Sequence, residues 1–119
     1  MYKVLVADKI PDSALELLRS DKKYDIDLKT GLTEPDLVKY IPEYHAIIVR
    51  SATKLTSVVI DAAKNLKVIG RAGSGLDNID TVLAEKRGIA VFNTPGSNSQ
   101  AVAELTIGLI FCLARNLYP

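Results

Sequence analysis

Leu66-Lys67-Val68-Ile69-Gly70-Arg71-Ala72-Gly73-Ser74-Gly75-Leu76-Asp77-Asn78-Ile79-Asp80 passes from a short apolar run into a glycine-rich turn. Thr81 to Arg87 follows with helical character and is closed by Gly88, so the glycines fall between a strand and a helix. Gly73 and Gly75, two residues apart, allow positive φ and a close approach of backbone N–H groups to a ligand. The start of the next helix adds partial positive charge, which makes an anion the natural guest. The plainer reading is a tight turn and nothing more.

The rest of the chain repeats this strand-then-helix unit. Lys3 to Ala7 is a β-branched run ended by Asp8, and Ser13-Ala14-Leu15-Glu16 reads as a helix start of the capping-box type. Tyr24 to Leu28 alternates apolar and polar residues as an edge strand does, Gly31 breaks it, and Thr33 is placed to cap a helix over Pro35 to Tyr40. Ala46-Ile47-Ile48-Val49 is apolar throughout, as expected of a central strand buried on both faces, and a helix from about Thr56 to Ala63 follows it. Ile89 to Phe92 makes a fifth strand. This alternation predicts an α/β fold: a five-stranded parallel doubly wound sheet, flavodoxin-like or half-Rossmann, over residues 1–96. A long helix, apolar nearly all round, is predicted from Ser97–Ser99 to about Asn116, within 97–119.

Composition narrows the class of partner. The chain has 119 residues, a formal net charge of +1 and no basic block, which argues against nucleic acid or an anionic membrane surface. One cysteine, Cys112, excludes an internal disulfide and fits a reducing cytoplasm. The longest apolar run is too short to span a membrane and contains Glu104, so a cytoplasmic protein is expected. One histidine and no Cys/His cluster leave no recognisable metal-ligand set.

In doubly wound sheets the ligand lies beyond the carboxyl ends of the strands. That rule selects Arg50, Ser51 and Lys54 after strand three, Gly73, Ser74 and Gly75 after strand four, and Asn93, Thr94, Ser97 and Asn98 after strand five. A guanidinium, hydroxyls and backbone N–H groups around one crevice suit a carboxylate or phosphate. The same residues also serve turns and solvated surfaces for purely local reasons. His45 precedes strand three and so falls at the opposite end of the sheet, as a structural histidine, while Asp77 and Asp80 read as helix caps. The turn after strand one, Asp8-Lys9-Ile10-Pro11, lacks the G-x-G-x-x-G of a dinucleotide site, and Arg50 stands where a phospho-accepting receiver needs an aspartate.

Three segments in order, Val49-Arg50-Ser51-Ala52-Thr53-Lys54, Gly70 to Asp80, and Asn93-Thr94-Pro95 leading to Ala103-Glu104-Leu105, resemble the N-terminal part of the D-isomer-specific 2-hydroxyacid dehydrogenases. The resemblance implies an NAD-dependent oxidation of a hydroxy acid, and the Arg50 to Lys54 segment looks most like members acting on 3-phosphoglycerate. Hydroxypyruvate or glyoxylate reduction is the alternative within the family, and a non-catalytic α/β binding or assembly module is the alternative outside it. By this resemblance Ser74 and Gly75 hold the substrate carboxylate, with Ser74 facing the nicotinamide. Arg50 and Ser51 meet the substrate's anionic groups, and Asn93 lines the cleft. The resemblance also implies that the NAD loop and the catalytic arginine, glutamate and histidine belong to residues beyond this segment. These 119 residues alone are therefore expected to be catalytically silent and to hold NAD only weakly. They are also expected to pair as a homodimer or domain-swapped dimer through the 97–119 helix.

Overall fold

The computed structural model describes residues 2–20, 22–73 and 75–93. Ser74, Thr94, Ser97, Asn98, Cys112 and the expected 97–119 helix lie outside the described residues. Five strands, β1 (Tyr2–Val6), β2 (Tyr24–Leu28), β3 (Ala46–Val49), β4 (Val68–Arg71) and β5 (Ala90–Asn93), form one parallel sheet in the order β2-β1-β3-β4-β5. The order reverses between β1 and β3, so the ligand-bearing switch point of such sheets lies where those two strands end. Burial follows the expected positions: β3 is buried at all four residues, and β2 is an edge strand whose Asp25 and Asp27 are only partly covered.

Side chains alternate across the sheet and divide the core in two. Val4, Val6, Ala46, Ile48 and Val68 meet Ala14, Leu15 and Leu18 of helix α1 (Asp12–Arg19) on one face. Leu5, Ala7, Ile47, Val49 and Ile69 face Leu37, Val59, Ile60 and Ala84. These last four come from α2 (Glu34–Tyr40), α3 (Ser57–Ala62) and α4 (Thr81–Lys86). Helices therefore cover both faces, as a doubly wound sheet requires. Among the described residues, no helix is long and apolar enough to cross a membrane.

Two of the four α-helix starts among the described residues, those of α2 and α4, carry side-chain caps. Thr33 and Asp36 form a reciprocal capping box on α2, and the Asp80 carboxylate accepts from Leu83 N–H at 3.2 Å to cap α4. Gly88 adopts φ +75° beyond the α4 end, the left-handed stop its position suggested. The capping box expected at Ser13 does not form. Helix α1 begins at Asp12 with Pro11 as its N-cap and no side-chain cap bond. Proline's fixed φ, here −58°, already directs the chain into the helix there, so the turn starts one residue before the serine.

Candidate functional site

The register of the sheet brings the expected loops to one edge. Val49 pairs with Arg71 and Arg71 with Asn93, so β3, β4 and β5 end side by side and deliver Arg50, Gly73 and Asn93 to the same side of the molecule. His45 sits at the other end, where its Nδ1 accepts the Lys3 N–H at 3.0 Å and its ring meets Tyr2 edge-on at 5.4 Å. Burial and the cationic N-terminus, Lys67 and Lys3 lower its pKa, so the imidazole is held neutral and structural.

The centre of the carboxyl edge is Asp8, only 6% exposed. Its Oδ2 accepts the backbone N–H of Arg50 at 2.6 Å and of Thr53 at 3.1 Å, and its Oδ1 accepts the Thr53 hydroxyl at 2.6 Å. One carboxylate thus folds the whole turn after β3 around the end of β1. From the other side Asn78 closes the same turn: its Nδ2 donates to the carbonyls of Arg50 and Thr53, both at 2.7 Å, while its Oδ1 accepts the Arg71 Nε–H at 2.9 Å. Those three bonds fix the amide's orientation, because the flipped form would set Oδ1 against two carbonyls and the NH₂ against a guanidinium. The segment carrying Asn78 then runs parallel to the β3–α3 turn, with Leu55 N–H donating to Asn78 O at 2.8 Å and Asp80 N–H to Leu55 O at 2.9 Å.

The glycine-rich turn is asymmetric. Gly73 has φ +154°, and a Cβ there would collide with Arg71 Nη1, whereas Gly75 has neither a positive φ nor an atom within 4 Å of an added Cβ. Only the first glycine answers the conformational need that the sequence suggested for both. The Gly73 N–H is moreover committed to the Arg71 carbonyl at 3.0 Å, while Gly75 has no backbone hydrogen bond among the described residues. Arg71 folds back over Gly73, and Arg50 reaches the Lys9 carbonyl through Nη1 at 3.3 Å. Neither guanidinium has an ion pair among the described residues, whose salt bridges are Lys3–Glu43 and Arg87–Asp61. Ser51 and Lys54 are exposed. Among the described residues, two shallow clefts of about 320 and 220 Å³ lie beside Lys54 and Thr56.

Comparison with known proteins identifies the family. The sequence profile of D-isomer specific 2-hydroxyacid dehydrogenase, catalytic domain, covers residues 4–111. The chain belongs to that family. The D-3-phosphoglycerate dehydrogenase of Archaeoglobus fulgidus is 47% identical over 115 residues, which make up 97% of this chain and 22% of that protein. A hydroxypyruvate reductase of Thermotoga maritima is 45% identical over 116 residues, 98% of this chain and 38% of the relative. The crystal structure of NAD+-bound 3-phosphoglycerate dehydrogenase from Entamoeba histolytica superposes with a TM-score of 0.73 at 31% identity, over 92% of this chain and 38% of that one. This 2-hydroxyacid dehydrogenase segment thus spans between about a fifth and two fifths of the length of these relatives.

The residues at the β1 turn do not fit a dinucleotide's pyrophosphate. The turn has no glycine, and the Asp8 carboxylate already holds the two amides, of Arg50 and Thr53, that a phosphate there would need. What the edge does offer is two guanidiniums, Arg50 and Arg71, with no ion pair among the described residues. Asp8, Arg71 and Asn78 are the residues that sequence reasoning did not single out for the site. The one signal that pointed to them was their adjacency to the selected loops.

Proposed function

We propose that this chain is the first segment of the substrate-binding domain of an NAD-dependent D-3-phosphoglycerate dehydrogenase, which oxidises 3-phosphoglycerate to 3-phosphohydroxypyruvate in serine biosynthesis. The observation that carries the reading is that two guanidiniums from the carboxyl edge, Arg50 against the Lys9 carbonyl and Arg71 over Gly73, have no ion pair among the described residues. Two guanidiniums suit a ligand with two anionic groups, and Arg recognises both carboxylate and phosphate bidentately. In this reading Arg50 and Ser51 meet the anionic groups, Gly73, Ser74 and Gly75 wrap the carboxylate end, Ser74 also faces the nicotinamide, and Asn93 closes the cleft. When bound, NAD accepts the hydride; the groups on this chain bind and orient the hydroxy acid. Residues 97–119 would form the connecting helix toward a nucleotide-binding domain, and the isolated chains would pair through it.

The 45% identity to a hydroxypyruvate reductase supports a second reading, a site for an unphosphorylated hydroxy acid. Titration of the chain with 3-phosphoglycerate and with glycerate separates the two, because loss of the phosphate is expected to cost at least tenfold in affinity in the first reading and nothing in the second. Sedimentation tests the pairing: a dimer at micromolar concentration that Leu109→Lys or Phe111→Lys dissociates is expected, and a monomer indifferent to both rejects it.

A further inference from the structure

We infer that Asn78 is a positioning residue for anion recognition: it couples the Arg50 turn to Arg71 and aims the Arg71 guanidinium across Gly73. The inference rests on the proposed substrate-binding reading and adds Asn78 to it. Asn78 uses three of its four side-chain hydrogen-bonding positions on this task, with both Nδ2 hydrogens given to the Arg50 and Thr53 carbonyls and Oδ1 accepting the Arg71 Nε–H. The tether engages Arg71 at Nε, and Nη1 lies against Gly73 in the place a Cβ there would take. Gly73 is the position where any side chain would push that fork aside. The Arg50 backbone is fixed in the same frame, because its N–H is held by Asp8 and its carbonyl by Asn78. The Arg50 backbone and the Arg71 side chain are therefore linked through a neutral amide, which introduces no charge to compete with an anionic ligand. A carboxylate at position 78 would tether Arg71 more strongly but would repel both carbonyls and neutralise the site.

The test combines nuclear magnetic resonance with a double-mutant cycle on the whole chain, using 3-phosphoglycerate as the probe. In the unsubstituted chain the Arg71 Nε–H signal is expected to be protected from exchange and to shift on addition of the probe. Asn78→Ala should remove that protection and weaken binding roughly tenfold, the scale of one or two lost hydrogen bonds. In an Arg71→Ala background the same substitution should cost distinctly less, because its effect passes through Arg71. Additive losses would mean that Asn78 only supports the fold, and would overturn the inference. Arg71→Lys provides the control should Asn78→Ala not fold: it keeps the charge and all bonds from Asn78 to the β3 turn but lacks Nε. It is expected to bind nearly as weakly as Arg71→Ala, and wild-type affinity would refute the aiming role. If the unsubstituted chain does not bind 3-phosphoglycerate at millimolar concentration, the substrate reading fails. The Nε–H signal then decides the tether by itself, protection lost in Asn78→Ala upholding it and protection retained overturning it.

Discussion

Replacing Asp8 by alanine is expected to be among the most damaging single changes at the carboxyl edge, although the residue lies in a turn. Its carboxylate receives three hydrogen bonds in a site that is only 6% exposed. The Thr53 hydroxyl has a second acceptor, the Ala7 carbonyl at 3.2 Å, so that bond is partly replaced. The Arg50 and Thr53 amides have no such alternative among the described residues; the buried Thr53 donor costs about 1–3 kcal/mol when orphaned and the half-buried Arg50 donor about 1 kcal/mol. The sum is about 2–4 kcal/mol, a large share of the roughly 5–15 kcal/mol that stabilises a domain. Asp8→Asn keeps one acceptor oxygen and should cost about 1–2 kcal/mol. Urea unfolding followed by far-ultraviolet circular dichroism reads this directly. With a slope of about 1–3 kcal/mol per molar urea, the alanine variant should unfold at a midpoint lower by about 2 M, with Asp8→Asn between it and the unsubstituted chain. An alanine variant within about 0.5 kcal/mol of the unsubstituted chain would show that the clamp does not hold the turn.

Gly73→Ala should destabilise by about 1–2 kcal/mol, since it meets both a φ of +154° and the Arg71 guanidinium, whereas Gly75→Ala should be nearly neutral; equal effects in the same urea assay would refute the asymmetry of the turn. The lowered pKa of His45 means that the unfolded chain binds its proton at higher pH than the folded one. Stability from this residue is therefore full above the unfolded pKa of about 6.5 and is lost as pH falls from there toward the folded value. His45→Asn, whose Oδ1 replaces Nδ1 as acceptor of the Lys3 N–H, should flatten the fall in melting temperature over that window; an unchanged slope would assign the dependence to other groups.

The fold was legible because its signals are local. Runs such as Ala46 to Val49 and the alternation of Tyr24 to Leu28 report burial directly, and once five strand–helix units are counted, parallel pairing places their turns at one edge. His45 at the far end and the caps at Thr33 and Asp80 followed in the same way. The clamp residues were hidden because their partners are remote. Asp8 binds Arg50 and Thr53 across 42 and 45 residues of sequence, and Asn78 reaches back 25 and 28 residues to the same turn. No periodicity or neighbour marks such pairs, and an Asp after a strand reads as an ordinary turn residue. Gly73 and Gly75 are indistinguishable as letters, and only the path of Arg71 shows which one the backbone needs. At α1, the proline one residue before the helix outweighed the Ser13 capping pattern.

The measurement that bears most directly on the central claim is a titration of ¹⁵N-labelled chain with 3-phosphoglycerate, repeated with Arg50→Ala. The expected result is binding that moves the amides of Arg50, Ser51, Gly73, Gly75 and Asn93, leaves those around His45 in place, and weakens at least tenfold on loss of the guanidinium, in keeping with about 1.4 kcal/mol or more for a charge-assisted contact. Shifts centred on the His45 end, or affinity indifferent to Arg50→Ala, would contradict it.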